Sequence, residues 1–189
     1  MLFYSENNAV KLRELCRQTI RKVPSNYLGI ICGLRKKMYL CSMEEQNKDE
    51  QYMRKALQEA EAAFDEGEIP IGAVVVCQDR IIARAHNLTE TLHDVTAHAE
   101  MQAITQAANE LGGKYLTDCT LYVTVEPCPM CAGAIGWAQV PRIIYGAADP
   151  KRGFQEYAPR VLHPKAECKG GILEEECRQL MQDFFKSRR

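Results

Sequence analysis

From Asp49 onward the apolar positions keep a helical period. Met53, Ala56, Leu57, Ala60, Ala63 and Phe64 fall at the i, i+3, i+4, i+7 spacing of an amphipathic helix, and Gly67 is suited to stop it. The period then shortens. Residues 71–77 and 80–85 are β-rich runs flanking Gln78-Asp79, which predicts a hairpin. A second helix is expected over 97–110, ended by Gly112-Gly113, and then a strand over 120–125. Pro127 suits the first turn of the next helix, which must end before Pro141. A strand over 142–146 and a last helix over 174–186 follow, the helix with Leu180, Met181, Phe184 and Phe185 turned inward. Repeats and low-complexity segments are absent, and the order of elements predicts a three-layer α/β domain with a mixed sheet.

Residues 1–42 read differently from the rest. They are basic, eight Lys/Arg against two Glu, and show no sustained period before Pro24. An extended tail, a short docking helix, or a stretch preceding a true start at Met43 all fit, so the domain is expected over 43–189. The net charge of −1 conceals opposed regions: residues 43–141 carry −10 and residues 142–189 carry +3. A polyanionic substrate is therefore expected along the C-terminal third. The longest apolar run, 27–34, is far short of the roughly 20 residues of a membrane span, and its charges follow it, unlike those of a secretory signal. Nine cysteines without a paired framework point to a reducing compartment, hence the cytoplasm. Cys77 and Cys119, in strand-like runs, read as small buried hydrophobes.

The chemistry is concentrated in His98-Ala99-Glu100 and Pro127-Cys128-Pro129-Met130-Cys131. One imidazole and two thiolates, the thiolates one helical turn apart, make three zinc ligands and leave a fourth position for water, the arrangement of catalytic rather than structural zinc. Both groups open predicted helices, whose unpaired N–H groups favour thiolate. Glu100 is placed to move protons rather than to bind the metal. Each half alone has another reading. Cys-x-x-Cys at a helix start also serves thioredoxin-like redox pairs, and a closed zinc knuckle needs a fourth ligand. His86, His93, His163, Cys119 and Cys168 show no spacing that would supply one.

With these motifs the chain resembles the zinc-dependent deaminases of the cytidine and deoxycytidylate deaminase superfamily, and within it the tRNA adenosine deaminases. The resemblance covers about 140 residues, from near Gln51, through Ile69-Pro70-Ile71-Gly72-Ala73-Val74-Val75-Val76, Asp94-Val95-Thr96-Ala97-His98-Ala99-Glu100, Leu121-Tyr122-Val123-Thr124-Val125-Glu126-Pro127-Cys128, Met130-Cys131-Ala132-Gly133-Ala134 and Tyr145-Gly146-Ala147. It implies a three-layer cytidine-deaminase-like fold with a mixed five-stranded sheet and helices on both faces. It implies one Zn²⁺ per subunit on His98, Cys128 and Cys131, with Glu100 delivering protons to the ring nitrogen and to departing ammonia. A tRNA anticodon loop would be the partner, its wobble adenosine flipped out and converted to inosine. Backbone N–H groups near Ala99 and Cys128 would steady the reacting centre, Asn87 would hydrogen-bond the purine, and Asp149 would lie beside the target nucleotide. Each also has a reading as a turn residue, Asn87 within His86-Asn87-Leu88 and Asp149 before Pro150. A homodimer is implied, and the apolar helix over 132–140 with Trp137 could serve it or the core.

The chain departs from that pattern after Asp149-Pro150-Lys151-Arg152-Gly153. A longer stretch with an Asn-His pair is replaced by Phe154-Gln155-Glu156-Tyr157 and Leu162-His163-Pro164-Lys165. Phe154 and Tyr157 could stack on a base or pack in the core. The resemblance implies that substrate identity is set in this segment, so deamination of a free base or nucleoside, of guanine, cytosine or cytidine type, is the second reading. A redox or structural zinc module is the third.

Overall fold

The computed structural model describes residues 25–188, with side chains from residue 44. The expectations for residues 1–24 lie outside the described residues. The chain divides into two units, 1–46 and 47–189. Helix α1, Ser25–Asp65, starts well before the apolar period does. No proline interrupts it, and Met43, Glu44, Glu45 and Gln46 are good helix formers, so the buried stripe does not mark its beginning.

In the second unit five strands form one mixed sheet in the order β2-β1-β3-β4-β5. They are β1 Gly72–Cys77, β2 Arg80–His86, β3 Cys119–Val125, β4 Arg142–Ala147 and β5 Glu167–Lys169. β1 pairs antiparallel with β2 and β3, while β3–β4 and β4–β5 are parallel. Gln78 and Asp79 close the β1–β2 hairpin with φ of 49° and 60°, the left-handed pair that matches strand twist in a two-residue turn. The strands alternate between two packed faces. Ala73, Val75, Leu121, Val123 and Ile143 meet α2 (Ala99–Leu111) and α3 (Pro129–Trp137) through Ala103, Ala107 and Ile135. Val74, Val76, Tyr122 and Ile144 meet Met53 and Ala56 of α1 and Cys177 of α5 (Glu174–Ser187). The expected three layers are present. Among the described residues no helix is long and apolar enough to cross a membrane.

Gly72 sets how closely α1 approaches the sheet. A Cβ there would overlap the Ala56 carbonyl oxygen and the Ala60 backbone nitrogen. Gly72→Ala is therefore expected to destabilise the protein by about 1–3 kcal/mol, the usual effect of overpacking, seen as a lower Tm in thermal unfolding.

The structure corrects several expectations. α3 begins at Pro129 with Cys128 as its N-cap, so Pro129 rather than Pro127 holds the first turn. On α5, Cys177 and Phe184 are buried, Leu180 and Met181 half-buried, and Phe185 is turned outward, edge-on to Phe184. Cys119 is buried as expected, while Cys77 is half-buried against the same cluster. The four-residue helix α4 (Phe154–Tyr157) and the three-residue β5 were not read from pattern, being too short to display a period.

Topology gathers the site. The C-terminal ends of β2, β3 and β4 and the N-terminal end of β1 share one edge, through the pairs Gly72–His86, Ala73–Val123 and Val125–Ala147. Asn87 leaves β2 there, Glu126 to Cys128 leave β3, Asp149 lies just beyond β4, and Glu68 precedes β1.

Candidate active site

His98 and Cys128 are the N-cap residues of α2 and α3, both in extended backbone, and Cys131 lies one turn into α3. His98 Nδ1 and the Sγ atoms of Cys128 and Cys131 lie within 4.8 Å of one another. Nδ1 is 3.7 Å from Cys128 Sγ and 3.4 Å from Cys131 Sγ. A tetrahedral zinc with Zn–S near 2.3 Å and Zn–N near 2.0–2.1 Å places its donors roughly 3.5–3.8 Å apart, so this set fits the ion. Among the described residues it is the one His/Cys/Asp/Glu group so arranged.

The protons follow from that crowding. The hydrogen bond from Cys131, with help from His98, lowers the Cys128 thiol to about 4. Cys131, sharing its proton with Cys128 and buried, is pushed up, and His98 is raised through its bond to Cys128. Glu100 is 3 % exposed, and burial above all raises its carboxyl. Its Oε2 is buried without a hydrogen-bond partner, a costly arrangement in a fold that pairs its other buried carboxylates. This unpartnered carboxylate oxygen accompanies three groups that could hold a metal ion.

Ala99 opens α2 with its methyl in the core, so only its backbone N–H, unused in the first helical turn, is available to a ligand. Asn87 is buried, its Nδ2 donating to Glu68 Oε2 at 3.0 Å and to Thr89 Oγ1 at 2.8 Å. Asp149 turns its own loop: Oδ1 accepts from Lys151 N at 2.9 Å and Arg152 N at 3.1 Å. Phe154 is 4 % exposed and lines a cavity of about 460 Å³ with Gln155, Arg160, Leu162 and His163. Tyr157, 62 % exposed, is not in that lining.

Two buried carboxylates near these groups carry no mark in the sequence. Glu126 accepts from Asp149 N at 3.1 Å and Gln155 N at 3.0 Å, and it fills the space that a side chain at Gly153 would need. Glu68 gathers the loop that carries Asn87 toward His98. Glu126 stands within a segment that carries the resemblance, but no spacing gives it or Glu68 a role.

The sequence pattern of the MafB19-like deaminases matches residues 47–189. The chain belongs to that family. The deaminase is 47 % identical over 147 residues to the tRNA-specific adenosine deaminase of Bacillus subtilis, spanning 75 % of this chain and 91 % of that protein. It also matches a structure from biochemical and structural studies of A-to-I editing by tRNA:A34 deaminases, with a TM-score of 0.65 and 43 % identity over 69 % of this chain and 98 % of that one. A guanine deaminase from Bacillus subtilis is 44 % identical, covering 52 % of this chain and 64 % of its own, with a TM-score of 0.51. The expected fold and the deaminase class are thus those found.

Proposed function

We propose that this deaminase converts adenosine to inosine at the wobble position of tRNA, using one zinc ion held by His98, Cys128 and Cys131. The observation that carries the chemistry is the buried, unpartnered Oε2 of Glu100 beside those three donors. The observation that supports tRNA is likeness over 91 % of the length of a tRNA-specific adenosine deaminase. Bound there, Zn²⁺ supplies Lewis-acid activation of a water. Glu100 would accept one proton as the water oxygen bonds the amino-bearing carbon and pass it to the ring nitrogen; it would then take the second proton from the new hydroxyl and give it to the amine as the carbon–nitrogen bond breaks and ammonia departs. Backbone N–H groups at Ala99 and Cys128 steady the reacting centre, and Asn87 orients the purine. Asp149 lies beside the target nucleotide, its Oδ1 shaping the loop through Lys151 N and Arg152 N.

The reaction belongs in the cytoplasm, where tRNA and reduced thiols coexist. A homodimer is our reading of Trp137, which stands 86 % exposed at the end of α3. Incubation with tRNA transcripts, free adenosine, guanine, cytosine and cytidine tests the substrate. Inosine in the transcript is the expected product. Turnover of guanine or a cytosine compound alone would favour the second reading, which the guanine deaminase likeness keeps specific.

A further inference from the structure

We propose that Glu68 is a positioning residue for the deamination, fixing which way the Asn87 amide faces; this rests on the reading of Asn87 as a contact to the purine. Glu68 is fully buried. Its Oε1 accepts from Thr91 N at 2.7 Å. Its Oε2 accepts from Asn87 Nδ2 at 3.0 Å, Glu90 N at 3.2 Å and Thr89 Oγ1 at 3.4 Å. Burial pushes the Glu68 carboxyl up, but the N–H groups of Thr91 and Glu90 and the Asn87 amide outweigh it, and the group stays ionised.

An ionised carboxylate only accepts. Asn87 must therefore turn its nitrogen toward Glu68, and its second N–H goes to Thr89 Oγ1 at 2.8 Å. The carbonyl oxygen is left pointing the other way. An asparagine free to rotate would present donor or acceptor indifferently; Glu68 selects one. The same carboxylate holds the loop that leads to the metal ligand. Leu88 N donates to Ala97 O at 3.0 Å, closing that loop next to His98. Glu68 thus sets both the polarity of Asn87 and its distance from the site. The Asn87 bond is the one with consequences for a ligand.

Steady-state kinetics on a tRNA transcript with a wobble adenosine, with zinc content measured on each variant, test this. Asn87→Ala and Glu68→Gln are each expected to lower kcat/KM about tenfold or more, the scale of losing a hydrogen bond to a charged group, with zinc retained. Glu68→Gln leaves one acceptor oxygen for the four donors that the carboxylate serves, so an NH₂ faces either Asn87 or Thr91 N. The double variant Glu68→Gln with Asn87→Ala should be no worse than Asn87→Ala, and Glu68→Gln with Asn87→Asp should regain activity over Glu68→Gln. Asn87→Asp alone leaves Glu68 untouched, opposes two carboxylates, and should fall below Asn87→Ala. If Asn87→Ala is silent, the reading of Asn87 fails and the inference with it. If Asn87→Ala impairs catalysis while Glu68→Gln does not, or the two losses multiply, or Asn87→Asp equals Asn87→Ala, Glu68 does not act through Asn87.

Discussion

Glu100→Gln is expected to lower turnover of tRNA adenosine by roughly 10²–10⁴-fold, the range attributed to a positioned general acid–base, while zinc content and fold persist. The substitution keeps the shape of the side chain and removes only its capacity to take and return a proton. Glu100 lies in the first turn of α2, two residues from His98, and the donor cluster does not include it. Its loss should not disturb His98, Cys128 or Cys131, because the ligands are fixed by two helix N-termini rather than by the carboxylate. The check pairs single-turnover kinetics with metal analysis of the same sample. A variant that has lost its zinc would make Glu100 a ligand, and one with undiminished turnover would remove it from the chemistry.

Asp49→Ala is expected to cost about 3–5 kcal/mol of stability, the usual result of breaking a buried ion pair by removing one partner. Only 1 % of the Asp49 side chain is exposed, and its carboxylate accepts from Arg142 at 2.8 and 3.0 Å, Tyr122 Oη at 3.0 Å and Lys169 Nζ at 3.2 Å. It joins α1 to β3, β4 and β5 at one point. Removal leaves the Arg142 guanidinium largely buried without that anion. In a chain of this length, thermal unfolding should register a fall of roughly 10 °C. The effect also has a pH signature. Burial alone would raise the Asp49 carboxyl; the hydrogen bonds and charge of Arg142, with Lys169 and Tyr122, hold it below its ordinary 3.8. A depressed carboxylate stabilises fully above the unfolded value and ceases to do so as pH falls through the folded one. The difference in Tm between the native protein and Asp49→Ala should thus be constant near neutrality and shrink below about pH 4. A difference that grows on acidification would assign the stability to other groups.

The His98, Cys128 and Cys131 group that could hold a metal, and Glu100 beside it, were legible because they are local. His-x-Glu and Cys-x-x-Cys each sit within one helical turn, and a helix start converts that spacing into a shared face. Most longer elements were legible for the same reason, that their period repeats; residues 25–48 of α1 are helical without an apolar period to show it. The long-range carboxylates were not. Asp49 reaches Arg142 across 93 positions, Glu126 reaches Gln155 across 29, and Glu68 reaches Asn87 across 19, so nothing near them in sequence distinguishes them from solvated acids. Glu68 stands just before Ile69-Pro70 and reads as the end of a turn. Only the β1–β2 hairpin brings it beneath Asn87. The segment after Asp149 was hard for a different reason. α4 and β5 are too short for a period, and Phe154 is placed by Glu126 and by its own N–H bond to Pro127 O at 2.9 Å, partners that pattern does not reveal.

The central claim is that this site adds water to adenosine held in tRNA. Mass spectrometry of the wobble nucleoside, after incubation of a tRNA transcript in ¹⁸O-labelled water, tests it most directly. Inosine carrying one solvent oxygen is expected at that position, formed by the native protein and not, on the same timescale, by Glu100→Gln. Unaltered wobble adenosine, in a zinc-loaded preparation that deaminates free guanine or cytosine, would contradict it.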